Sequence, residues 1–271
     1  MKLSNLFKFR EGEDPEAVKP FLDHLEDLRW VIVKMAIALG VAMMLAFAFR
    51  TQLALILQLP LQALDPNLLK SLAAFGVADS MTISLQLAFY AGIVLAFPFL
   101  IYFAGSFVLP ALTPQEKRAM LPAVLVGFGL FLGGVTFSYF FVLPPTLRFF
   151  FHDALAMHWT PTWNVREYFS FVTQCCVGFG IAFELPVLVL VLVRLGLIST
   201  SLLRRTRAYA FVLIFCAAIF LAPTPDVVSM AIMGAPMYVL YEICIFISGF
   251  IEKKRKTETN HSSDKGLTNS P

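Results

Sequence analysis

In the run Phe21-Leu22-Asp23-His24-Leu25-Glu26-Asp27-Leu28-Arg29-Trp30, three carboxylates, an imidazole and a guanidinium stand directly before a long apolar run that opens at Trp30. Written as a helix, Phe21, Leu25 and Leu28 fall at i, i+4 and i+7 on one face, so Asp23, Glu26 and Asp27 need not face the apolar side. Pro20 suits the first helical position, which would put the acids near the positive end of the helix dipole. Two readings fit these residues. One is a charged helix start that fixes a membrane span; the other is a cluster of carboxylates at a membrane surface that receives something cationic.

Other residues that can do chemistry are few. Glu184, in Phe183-Glu184-Leu185-Pro186-Val187, lies inside an apolar run. A carboxylate at such depth costs about 2.5–3.5 kcal/mol and must face protein or water, or stay protonated. Pro186 withholds the backbone donor that residue 182 would use, and the resulting kink can bring Glu184 to partners. The expectation is a polar cavity within the protein; the alternative is a structural hydrogen bond between spans. Gln174 is the other deep polar group, while Glu242 and Lys34 lie nearer span ends. Thr113-Pro114-Gln115-Glu116 has the form of a capping box, which by itself accounts for Glu116. Pro223-Thr224-Pro225-Asp226 reads as a tight turn with Asp226 capping the next helix. His24 reads as an ion-pair member and Arg29 as a cationic membrane anchor. Cys175, Cys176, Cys216 and Cys244 all lie in apolar runs without CxxC or metal-ligand spacing, and read as inert thiols. No P-loop, HExxH, GxSxG or GxGxxG is present, which argues against an enzyme and against any metal or cofactor.

The elements that must position these residues are membrane spans. The chain has 271 residues, of which 58% are hydrophobic and 14% charged, the composition of a polytopic membrane protein. Met1 to Lys19 is polar, with no apolar core of a cleavable signal peptide. Six apolar segments are read: Trp30 to Phe49, Ile83 to Leu109, Leu121 to Leu143, Tyr168 to Val193, Ala208 to Leu221 and Val227 to Ile247. The fifth is short, about 21 Å of helix against a core of about 30 Å, and the sixth barely suffices. Seventeen of the 21 Lys and Arg residues fall on one side of this arrangement, leaving Arg50, Lys70, Arg148 and Arg166 opposite. The positive-inside rule then puts both termini in the cytoplasm, so the fifth and sixth segments must cross together or re-enter together, and six crossings in a locally thinned bilayer is the expectation. The expected fold is an all-α integral membrane protein of six transmembrane helices, the last two short. It is one membrane domain, with a polar N-terminus over 1–19, a core over 20–250 and a polar, disordered tail over 251–271. Between the first two spans, Arg50 to Ser80 is Leu-rich and reads as a cap on the membrane surface. Pro144 to Glu167 reads as an aromatic outer loop.

Taken together these motifs resemble one family. His24-Leu25-Glu26-Asp27-Leu28-Arg29 resembles the His-Leu-x-Glu-Leu-Arg signature of TatC, the core subunit of the twin-arginine protein translocase. Phe183-Glu184-Leu185-Pro186-Val187 resembles its fourth-span motif, and Pro225-Asp226-Val227-Val228-Ser229 its turn before the sixth span. Met237-Tyr238 with Glu242 is similar to its sixth-span pattern, and Phe107-Val108-Leu109-Pro110-Ala111-Leu112 with Glu116 and Arg118 to its first cytoplasmic loop. The resemblance runs in order from Pro20 to Glu252. It implies a receptor in the bacterial inner membrane that binds twin-arginine signal peptides and scaffolds export of folded proteins driven by the proton-motive force. Its implied partners are TatA- and TatB-type single-span subunits, signal peptides, the lipid bilayer and further TatC copies, with no nucleic acid. Asp27 and Glu116 match the acids that recognise the arginine pair, with Glu26, Arg29 and Phe107 beside them. Glu184 matches the intramembrane acid, and Asp226 and Met230 mark the outer turn and partner contact. Two positions depart from the pattern: Asp27 stands where the family has Glu, and Met230 where many relatives have glutamine. The competing reading is a secondary transporter with Glu184 as its proton or cation site.

Overall fold

The computed structural model describes residues 15–108, 120–194, 199–221 and 227–267, with side chains left out at 15–24, 108, 120–123, 190, 194, 221 and 250–267. Helix α1 (Pro15–Ala48) is followed by α2 (Arg50–Leu64), the single turn α3 (Leu68–Ser71), strand β1 (Leu72–Ala73) and α4 (Asp79–Val108). Then come α5 (Met120–Phe137), a π-helical turn over Ser138–Val142, α6 (Leu143–Ala156), strand β2 (Trp163–Asn164) and α7 (Val165–Ala182). The chain ends in α8 (Leu185–Arg194), α9 (Thr200–Arg205), α10 (Arg207–Leu221) and α11 (Val227–Leu267).

Five runs among the described residues are long and apolar enough to cross a membrane: Leu25–Ala48, Asp79–Phe107, Val124–Ala156, Val165–Val193 and Val227–Gly249. The sixth apolar helix, Arg207–Phe220, is shorter, as the sequence indicates. Helices α1 and α4 run antiparallel, and α4 in turn packs on α5 and α7. The core gathers at α7, where Phe169, Val172, Cys175 and Phe179 are all buried. Phe131 of α5 stacks on Phe97 of α4 with ring centroids 3.6 Å apart.

The cap between the first two long helices is built by a proline. Pro60 lies inside α2 and has no N–H to offer the carbonyl of Ile56. The hydroxyl of Tyr139 donates to that oxygen at 2.6 Å, and the hydroxyl of Tyr168 donates to the neighbouring carbonyl of Leu57 at 2.6 Å. Two residues of β1 pair in parallel with β2, Leu72 with Trp163 and Ala73 with Asn164, which fastens the two cap-end connections together. Gly76 donates its N–H to the buried carboxylate of Asp79 at 2.7 Å where α4 begins.

Several boundaries differ from the sequence reading, each for a local reason. The helical backbone of α1 starts at Pro15, so Pro15 rather than Pro20 holds the first position. Asp23, Glu26 and Asp27 then lie beyond the first turn, where the dipole term has faded. Residues 144–156 are not a loop: Pro144 and Pro145 open α6. Neither supplies an N–H, so the carbonyls of Phe140 and Phe141 lose their helical donors, and the chain widens to a π-turn in which Leu143 bonds Ser138. The C-terminal end of α6 closes in a Schellman motif, Trp159 N–H to Ala154 O and His158 N–H to Leu155 O, with His158 at φ 59°. The tail expected to be unstructured from Lys253 continues as helix to Leu267. Glu252, Lys253, Lys254, Arg255 and Lys256 are all strong helix formers.

Candidate functional site

The first candidate site is fixed by the register of two helices. A Cβ at Gly92 of α4 would lie 2.7 Å from Cγ and 3.1 Å from Cα of Met43, so the α1 backbone passes directly over this glycine. Because α1 and α4 are antiparallel, sixteen residues back along α1 and sixteen forward along α4 bring Asp27 level with Val108, about 24 Å from the Gly92 contact at 1.5 Å per residue. Glu26, Asp27 and Arg29 are exposed at this end of α1, and Phe107, half-buried, lies in the last turn of α4. Arg207–Glu242, at 2.9 Å, is the ion pair recorded among the described residues, and it involves none of these three charges. An exposed pair of carboxylates with no ion-pair partner among the described residues is chemically suited to a cation arriving from outside, most selectively a guanidinium, whose planar fork pairs bidentately. Glu116 lies outside the described residues.

The second site is Glu184. Helix α7 stops at Ala182 and α8 starts at Leu185. Between them the Glu184 N–H turns back to Ile181 at 3.0 Å, one residue short of an α-helical bond, as Pro186 requires. Glu184 is half-buried. Its Oε1 is enclosed, with no hydrogen-bond donor among the described residues. The carboxylate lies against the bare backbone of Gly127 in α5, and Ile101 of α4 closes on the same spot. Gln174 does not join it, since its side chain is exposed on the outside of α7.

The third site lies where α10 and α11 meet. Arg207 bonds Glu242 at 2.9 Å, Tyr238 donates to the other carboxylate oxygen at 3.0 Å, and Tyr241 donates to the carbonyl of Leu203 at 2.9 Å. Sequence reading singled out Glu242 and Tyr238 but missed Arg207, whose role depends on a residue 35 positions away. It also missed Gln86, whose amide reaches Ser170 at 3.0 Å and Thr173 at 3.1 Å and joins α4 to α7. Met230 is half-buried on the first turn of α11, and Asp226 lies outside the described residues. Gly234 is buried against the ring of Phe215 at 3.1 Å from a would-be Cβ, so α10 occupies that face. No group of three or more His, Cys, Asp or Glu comes together among the described residues.

Comparison with known proteins completes the description. Residues 23–236 match the family model for the Sec-independent protein translocase protein TatC. The TatC of Akkermansia muciniphila is 42% identical over 191 residues, covering 70% of this chain and 55% of that protein, so the match spans little more than half of that relative. The Deinococcus radiodurans TatC is 37% identical over 234 residues, 86% of each chain. Crystal structures of a twin arginine translocase receptor, TatC, superpose with a TM-score of 0.77 at 33% identity over 84% of this chain and 98% of that one, and in the detergent DDM with a TM-score of 0.76.

Proposed function

Because the chain belongs to the TatC family of Sec-independent protein translocases, we propose that it is the subunit of that translocase that receives twin-arginine signal peptides. It sits in the bacterial inner membrane with six crossings and both termini cytoplasmic. The export of folded cargo draws on the proton-motive force, and TatA- and TatB-type single-span subunits and further copies of the chain complete the assembly.

The observation that carries this reading is the register of α1 against α4. It sets exposed Glu26, Asp27 and Arg29 level with Phe107, at the mouth of the connection that contains Glu116. The 17-to-4 division of basic residues supports placing that end in the cytoplasm. In this function nothing covalent happens at the site. Two carboxylates take two guanidinium groups, and the pairing distinguishes arginine from lysine by geometry rather than by charge. The transporter reading would rest on the single carboxylate of Glu184, and no group of three or more His, Cys, Asp or Glu comes together among the described residues.

The test measures affinity of the detergent-purified protein for a twin-arginine peptide and for its twin-lysine counterpart. Asp27→Asn and Glu116→Gln are each expected to weaken the arginine peptide by about tenfold, the low end for a charged hydrogen bond because Asp27 is exposed. Asp27→Glu should bind at least as well as the parent. Glu116→Gln keeps a capping side chain, so unchanged affinity in both neutralised variants would leave these acids as helix starts and end the proposal.

A further inference from the structure

Glu184 occupies a position whose neighbours face outward. Ile181 and Leu188, three residues before and four after it, are each 55% exposed, and Gln174, one further turn pair back, is exposed as well. Residues at these spacings share one face, so the backbone at 184 belongs to the outward stripe of α7 and α8. Yet the carboxylate does not follow the stripe. It turns into the bundle, where Oε1 is enclosed and Oε2 reaches the surface of α5. What admits it is the absence of a side chain. A Cβ at Gly127 would stand 3.1 Å from Oε2, 3.4 Å from Oε1 and 3.2 Å from Cδ1 of Ile101. Ile101 of α4 stands on the other side of the notch, so an added carbon makes the carboxylate, the end of Ile101 or both give way by a few tenths of an ångström.

We propose that Gly127 is the positioning residue for Glu184: its bare backbone is the notch that holds the carboxyl inside the α4–α5–α8 corner, and filling it expels the carboxyl onto the outward stripe beside Ile181 and Leu188. The inference rests on the reading of Glu184 as a working residue of the translocase, and it specifies what makes that residue available in one direction only. The other open glycines of α5 make no such contact. Gly129 and Gly133 have nothing within 4 Å of a would-be Cβ, so a methyl group on either fills empty space.

The experiment combines modification of Glu184 by a membrane-soluble carbodiimide, located by mass spectrometry, with export of a folded reporter by the full chain and its partners in cells. Gly127→Ala is expected to raise the rate of modification by about tenfold, the change when a minor outward position becomes the main one, and to reduce export. Gly129→Ala should match the parent in both. Shortening the acid restores room for the added methyl, so Gly127→Ala combined with Glu184→Asp should regain slow modification at residue 184 and recover export relative to Gly127→Ala alone. That reciprocal rescue separates positioning from simple destabilisation of the fold, and it stays informative where Gly127→Ala alone inserts poorly. Modification of Gly127→Ala at the parent rate, or equal acceleration by Gly129→Ala, would overturn the proposal. Normal export by Glu184→Gln would instead defeat the functional role of Glu184, a result that the modification rates do not depend on.

Discussion

Replacing Tyr139 by Phe removes one hydroxyl and, with it, the donor to the Ile56 carbonyl at 2.6 Å. In an ordinary helix that loss would matter little, since the carbonyl would keep its own i+4 partner. Here the i+4 residue is Pro60, so the phenol is the replacement for a missing backbone N–H. A protein hydrogen bond contributes about 0.5–1.5 kcal/mol net, and a stranded buried acceptor costs about 1–3 kcal/mol. Tyr139 and Ile56 are not sealed from solvent, so water can take over part of the bond and the expected cost is about 1 kcal/mol. For a chain of this size that shifts the melting midpoint by about 2–4 °C. The structure makes a sharper claim about context. In a Pro60→Ala background the backbone N–H returns, and Tyr139→Phe should then be almost neutral. Thermal unfolding of the parent, the two single variants and the double variant in one detergent gives the coupling directly, because whatever else Pro60→Ala does cancels around the cycle. An equal loss from Tyr139→Phe in both backgrounds would refute the reasoning, since it would mean the hydroxyl is not standing in for the proline's absent donor.

Two further outcomes follow from contacts of the same kind. Gly134→Ala should destabilise by about 1–3 kcal/mol through overpacking, because its Cβ would lie 2.5 Å from the carbonyl oxygen of Phe179, a backbone atom that cannot swing away; Gly133→Ala, facing open space, should stay within about 0.5 kcal/mol in the same melting assay. Reporter fusions after Ser80 and Glu167 should report the outer side and fusions after Ser201 and Lys256 the cytoplasm, and an external C-terminus would refute the charge-based orientation.

How far the sequence reaches depends on how local the cause is. The apolar runs, the short helix at Arg207 and the break at Glu184 were all legible, because each follows from residues within a few positions: a stretch of hydrophobes, a proline two residues after an acid. Gly127 was not legible as the partner of Glu184, since a glycine in an apolar helix carries no mark of what crosses it 57 positions later. The same holds for Tyr139 and Tyr168, which carry no mark of it in the sequence and repair the helix of the cap. The start of α1 was misplaced because Pro15 and Pro20 both suit a first turn, and only the fold distinguishes them. Gly234 shows a related limit: its smallness signals close approach, but not by which helix, and in the fold it is α10 that takes the place.

Asp27 and Glu184, the surface acid of the proposed peptide site and the acid within the fourth span, stand in opposite settings. Asp27 is exposed, so water screens it and any single ion pair it forms is weak. Such a group is useful for discrimination more than for strength. Two guanidinium groups must be present together for two acids to be paired, and one lysine substituted for an arginine forfeits the bidentate geometry. Glu184 is placed where the reverse holds. Its Oε1 is enclosed, the bare backbone of Gly127 lies against the carboxylate, and no donor among the described residues satisfies that oxygen, so any group that does reach it with a hydrogen bond gains more than the same contact would give in water. An apolar setting of this kind makes the position of the carboxyl decisive, because a shift of one side-chain carbon changes whether it meets protein or lipid. The residue that controls such a shift need carry no chemistry of its own, and a glycine, having nothing to move aside, is the side chain that leaves the choice to the acid.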